Sequence, residues 1–116
     1  MTVSHEKRQC ERFAVHRGSV ANINGHQSYS TITDISATGI AFICSPELHN
    51  GDTIDLALEL NQGNETKTIH VIVEIVRCLK DDFEFHAGAI IKTITHEFKE
   101  LLEQIQRSRE KYAITA

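Results

Sequence analysis

Asp34-Ile35-Ser36-Ala37-Thr38-Gly39 stands between Tyr29-Ser30-Thr31-Ile32-Thr33 and Ile40-Ala41-Phe42-Ile43-Cys44. The flanking runs are rich in β-branched and aromatic residues, a strand composition. The hexapeptide between them is polar and ends in glycine, so the whole reads as two strands joined by a turn. Two uses of that turn are open. Asp34 and Ser36 either fold onto nearby backbone amides and satisfy the turn itself, or they face a ligand. Gly39 either supplies a positive φ or leaves room for another molecule's atoms.

Working outward, the same grammar repeats. Phe13 to Ile23 reads as a first strand, and Asn24-Gly25 is the strongest hairpin signal in the chain, returning a second strand from about Gln27 to Ile35. Ile40 to Cys44 is the third strand, followed by a loop marked by Pro46 and Asn50-Gly51-Asp52. Thr53 to Leu60 alternates, with Ile54, Leu56, Leu58 and Leu60 on one face, as a half-buried strand does. After a turn at Asn61 to Glu65, the run Lys67 to Leu79 puts Ile69, Val71, Val73 and Ile75 on one face. His70, Ile72, Glu74, Val76 and Cys78 fall on its other face, part of which is therefore also expected to be covered. Asp81-Asp82 turns the chain into a last strand, Phe83 to Ile94, which contains Gly88. Thr95 to about Lys111 carries Phe98, Leu101, Leu102 and Ile105 at helical spacing, an amphipathic helix whose stripe packs on the sheet.

The expectation is a mainly β domain, six antiparallel strands closed into a small barrel that hides its own edges, with one C-terminal helix. Residues 1–12 are polar and without periodicity and read as a flexible N-terminal arm, residues 13–94 as the barrel, and residues 95–111 as the helix.

With 116 residues the chain suits one domain with a real core. Its formal net charge of −4 argues against a general nucleic-acid binder. The opening segment runs against that balance: Lys7, Arg8, Arg12 and Arg17, with His5 and His16, face only Glu6 and Glu11, which suits a small anionic ligand. Cys10, Cys44 and Cys78 show no CxxC spacing, so no disulfide framework or zinc site is expected, and Cys44 and Cys78 read as buried thiols. No signal peptide or apolar stretch of spanning length is present, and a cytoplasmic protein without membrane insertion is the expectation.

Signatures of catalysis are missing. His96-Glu97 lacks the second histidine of a zinc helix, and there is no GxSxG elbow or phosphate-binding glycine loop. His70 and His86 read as ordinary strand residues, and Glu84-Phe85-His86 as alternating strand faces rather than an acid/base pair. The expectation is a binding protein and not an enzyme, with no metal and no cofactor.

Arg8 and Arg12 form RxxxR ahead of the first strand, and Asp34, Ser36 and Gly39 form DxSxxG. With a barrel pattern behind them, the two motifs resemble those of the PilZ domain family, over nearly the whole chain from about Glu6 to the C-terminal helix. The resemblance implies a PilZ-type barrel that is a receptor for the bacterial second messenger cyclic di-GMP. It implies that Arg8, Arg12, Asp34, Ser36 and Gly39 surround one pocket, and that the output passes to a protein effector, since no effector domain is attached. These residue types suit that ligand. An arginine fork can take guanine O6 and N7, pair with phosphate or stack on a base, where lysine would keep only the charge. A carboxylate accepts from guanine N1–H and N2–H, a hydroxyl bonds base or phosphate, and glycine leaves space. Lys7 lies where family members vary. Gly88 reads as a strand bulge and Arg77 as an exposed arginine, each with a lesser claim on the site. The rival is a nucleotide-independent PilZ-type interaction adaptor of the pilus or motility kind, against which the two arginines count.

Overall fold

The structure, a computed structural model, describes residues 11–115, with side chains through Ser108. Six strands follow in order: β1 (Phe13–Ile23), β2 (His26–Ile35), β3 (Gly39–Cys44), β4 (Thr53–Gln62), β5 (Glu65–Asp81) and β6 (Glu84–Ile91), then one helix, α1 (His96–Thr115). All pairings are antiparallel, and the order β1-β2-β3-β6-β5-β4 closes on itself through β1 and β4. Closure leaves no free sheet edge. The expected mainly β barrel with a C-terminal helix is therefore the fold. The helix runs beyond Lys111 to Thr115, and most of the expected N-terminal arm, including Arg8, lies outside the described residues.

Local chemistry accounts for the turns. Asn24 and Gly25 both have positive φ, 52° and 87°, as the two-residue turn between Ile23 and His26 demands. Gly63, at φ 63°, opens the β4–β5 turn. Asp82 at φ 56° opens the β5–β6 turn, which leaves Phe83 at the hairpin tip, 95 % exposed, rather than in the strand expected of it.

The core is made by the alternation the sequence shows. Ile54, Leu56, Leu58 and Leu60 of β4 and Ile69, Val71, Val73 and Ile75 of β5 are all buried. They meet Ile32, Ile35, Ile40 and Phe42 from β2 and β3, and Phe98, Leu101 and Ile105 from α1. Each such burial is worth about 1.5–3 kcal/mol against an exposed side chain. The apolar stripe of α1 is thus core packing. Thr95 starts the helix by accepting the Phe98 N–H on its Oγ1 at 3.1 Å, and Lys67 reaches Glu97 at 3.2 Å. Among buried polar groups, the Ser19 and Ser30 hydroxyls bond each other across β1 and β2.

The second face of β5 is not covered as expected: Ile72, Val76 and Leu79 are exposed. Cys44 is buried, while Cys78 is only half-buried. Burial pushes the Cys44 thiol up to about 11, and the nearby Cys78 adds to the effect.

Candidate ligand-binding site

The site begins with two irregularities in strand pairing. In β2, Ile32 faces Phe42 and Asp34 faces Ala41, so Thr33 is an extra residue without an opposite number. In β5, Ile75 faces Ala89 and Arg77 faces Gly88, so Val76 is the extra residue. A bulge shifts the alternation by one. Ile32 and Ile75 point inward, and simple alternation would send Asp34 and Arg77 into the core after them. The bulges turn both side chains to the outer surface instead, and Ile35 and Cys78 take up the inward positions.

The two re-aimed residues lie on one line across the sheet. Arg77 pairs with Gly88, Gly88 with Ala41, and Ala41 with Asp34. At a strand spacing of about 4.8 Å their backbones stand about 14 Å apart, with only a glycine and an alanine between them. That is a trough with a low floor. It is a cleft of about 460 Å³, lined on one side by Arg12, Asp34, Ser36 and Thr38 and on the other by Val76, Arg77 and Ile90.

On the first wall, Arg12 Nη1 lies 3.6 Å from Asp34 Oδ2, with the side chains 76 % and 32 % exposed. So exposed a pair holds the chain weakly, at about 0–1 kcal/mol. A ligand can exchange it at little cost. Arg12 itself stands at the rim of the cleft.

Ser36 is used differently. Its hydroxyl accepts the Gly39 N–H at 3.0 Å and the Thr38 N–H at 3.3 Å, and its Oγ also lies 3.3 Å from the Gly39 carbonyl. Ser36 N–H donates to the Gly39 carbonyl at 2.9 Å, closing a turn with Ala37 and Thr38 at its tip. The Thr38 carbonyl then accepts the Ile91 N–H at 2.9 Å, which moors the turn to β6. Buried Ser36 thus holds the rim in shape. Gly39 belongs to β3 and does not adopt positive φ. A Cβ there would meet the Ala89 carbonyl oxygen at 3.1 Å, so the glycine serves close approach between β3 and β6 as well as a low floor.

Of the five residues the motifs single out, the structure brings Arg12, Asp34, Ser36 and Gly39 to one cleft, while Arg8 lies outside the described residues. It adds Arg77 and Gly88, to which the sequence gave a lesser claim, and Ala41, Val76 and Ile90, which it passed over. A signal for the bulges was present. The inward phase changes from Ile32 to Ile35 and from Ile75 to Cys78, and each change marks an extra residue. Among the described residues no group of His, Cys, Asp and Glu converges to hold a metal, and no helix is long and apolar enough to cross a membrane.

The closed six-stranded barrel thus carries a shallow, arginine-flanked cleft on its outer wall. The PilZ domain profile matches residues 6–107, and the chain belongs to the PilZ domain family, a family of cyclic di-GMP receptor and adaptor domains. Among solved structures, the Bacillus subtilis inhibitor of motility, MotI/DgrA, matches with a TM-score of 0.76 at 18 % identity, over 90 % of this chain and 52 % of that one. At that identity the likeness concerns the fold, and this chain spans about half the length of that protein. A comparison with curated proteins finds no match.

Proposed function

We propose that this domain is a cyclic di-GMP receptor that signals to a protein partner. The observation that supports the reading most is the bulge at Thr33, which aims the Asp34 carboxylate, paired with Arg12, into a cleft with a floor of Gly39, Ala41 and Gly88. A carboxylate there accepts N1–H and N2–H from one guanine. Released from Asp34, the Arg12 guanidinium takes a phosphodiester or the guanine O6/N7 edge, the latter worth roughly 1–3 kcal/mol of base discrimination in nucleic-acid recognition. Arg8, one RxxxR step earlier, supplies a second fork. Ser36 and Gly39 shape the rim and floor.

In this reading the segment carrying Arg8 and Arg12 closes over the ligand and changes the charge and shape of one barrel face. This is a population shift, driven by tighter binding to the closed form. A second messenger acts inside the cell, so the setting is cytoplasmic. Because the solved neighbour is an inhibitor of motility, motility is the first output to assay.

The test is calorimetric titration with cyclic di-GMP, with GTP and cyclic di-AMP as controls, on the wild type, Arg8→Ala and Arg12→Ala. Saturable binding at micromolar or tighter, about −8 kcal/mol or more favourable, that is lost in both variants supports the receptor. No heat and no NMR shifts with the wild type reject it in favour of a nucleotide-independent adaptor. Unchanged amide signals of residues 5–13 at saturating ligand would reject the closing arm.

A further inference from the structure

Beside the cleft, the outer wall of the barrel carries a second exposed row. Thr31 pairs with Ile43, Ile43 with His86, and His86 with Leu79, so the four stand side by side across β2, β3, β6 and β5. The row lies two residues along β3 and β6 from the cleft floor at Ala41 and Gly88, and none of its members lines the cleft. Leu79 is 59 % exposed, and Tyr29, which flanks the row on β2, is 87 % exposed. Beyond the Asp81–Glu84 pair the hairpin tip carries Phe83, still more open to solvent. Nothing in the turn calls for an aromatic ring there, since its positive φ falls on Asp82. Single exposed apolar side chains are ordinary. Two aromatics and a leucine around one row make a contiguous patch, and such patches mark interaction surfaces.

The charge around this strip is uneven. Its tip end carries Asp81, Asp82 and Glu84 against Lys80, all exposed. Asp81 Oδ2 lies 3.4 Å from His86 Nε2 and remains largely open to solvent. At the cleft end of β5 stands Arg77, on the same outer face. An anionic lipid surface is therefore a poor occupant, because the tip carboxylates would meet its headgroups. A second copy of the strip is a poor one too, since Tyr29, Thr31, Ile43, His86 and Leu79 offer no lysine or arginine to answer the tip. A protein segment that is apolar along one face and basic at one end answers both the apolar row and the acidic tip.

Resting on the reading that the output passes to a protein, we propose that the strip from Tyr29 to Phe83 is the docking surface for that partner. The occupant is an amphipathic segment with its apolar face on Ile43, Leu79 and Phe83 and its basic end at the hairpin tip. The strip runs alongside the cleft floor, so a segment seated on it lies next to whatever fills the cleft. That adjacency is how one face serves both ligand and partner.

The experiment titrates a designed amphipathic helix of leucine and lysine into the nucleotide-free wild type, Phe83→Ser and Leu79→Ser, with a leucine and glutamate helix as control. Both substituted residues are exposed, so the variants keep the fold, which thermal melting checks. Amide signals of Tyr29, Ile43, Leu79, Phe83 and His86 shift with the lysine helix, while those of Asp55 and Ala57 on β4 stay in place. Each variant weakens binding about 5-fold or more, and Asp81→Asn with Asp82→Asn flattens the dependence of affinity on salt. Absence of shifts, shifts centred on another face, equal binding of the glutamate helix, or unchanged affinity in Phe83→Ser and Leu79→Ser each overturns the proposal. A dimer in analytical ultracentrifugation that Phe83→Ser breaks gives the strip to a second copy, and capture by phosphatidylglycerol vesicles that Phe83→Ser abolishes gives it to a membrane; either overturns it. Calorimetry with cyclic di-GMP keeps the two readings apart. Phe83→Ser binds the nucleotide as the wild type does, and loss of that binding would make Phe83 part of the ligand site and overturn the proposal. A wild type that binds no nucleotide removes the receptor reading, and the strip is then decided by the helix titration alone.

Discussion

Asp34→Asn separates the site from the fold. The carboxylate sits at a bulge on the outer face and its one ion pair, to Arg12 at 3.6 Å, is exposed. Removing that pair costs about 0–1 kcal/mol of stability. Unfolding entropy of about 2.1 cal/mol/K per residue gives about 0.24 kcal/mol/K for a chain of 116 residues, so Tm falls by no more than about 4 °C. Ligand affinity responds far more. Asparagine keeps one acceptor but turns the other into an N–H₂ that opposes a guanine donor. Hydrogen bonds to a charged group contribute about 1.5–3 kcal/mol. Since Asp34 is one-third exposed, we take that range for the carboxylate as a whole, a 10- to 150-fold loss at about 1.4 kcal/mol per decade. Thermal melts and calorimetric titration of cyclic di-GMP, run on the same sample, read both quantities. An affinity within about twofold of wild type with an unchanged Tm would show that Asp34 does not touch the ligand. A Tm loss above about 8 °C would show that its role is in holding the bulge.

Three further outcomes follow from the same structure. Ser36→Ala strips the acceptor from the Thr38 and Gly39 N–H groups and costs about 1–3 kcal/mol in urea unfolding, with faster amide exchange at Gly39. Phe42→Ala empties the middle of the barrel, where Phe42 is fully buried, and costs about 3–5 kcal/mol, read as a lower urea midpoint with an unchanged slope. The Cys44 thiol, pushed from its ordinary 9.0 up to about 11, favours its neutral form in the folded state. Its contribution is therefore complete below pH 9.0 and is lost as pH rises through about 11. Mass-spectrometric mapping of thiol labelling at pH 8 finds half-buried Cys78 modified well before Cys44.

Much of this protein is legible along the chain because much of it is local. The alternation in Thr53 to Leu60 forces a half-buried strand, Asn24-Gly25 forces a two-residue turn, and the spacing of Phe98, Leu101 and Ile105 forces a helix with one buried face. The motif residues could be named because RxxxR and DxSxxG resemble the PilZ family's motifs, with residue types that suit a guanine nucleotide. Even the phase shifts around Thr33 and Val76 are written in the order of apolar residues. What the chain alone did not decide was the neighbourhood. Arg77 and Gly88 follow Asp34 by more than forty residues, and they meet it only because β6 inserts between β3 and β5. Whether Ser36 faces a ligand or its own turn likewise depended on how the β2–β3 loop is moored to β6. Strand order, register and closure are collective: each is selected by the packing of all six inner faces at once. Residue types and periods therefore come from the sequence, and the two-walled cleft comes from the closed barrel that sets those residues side by side.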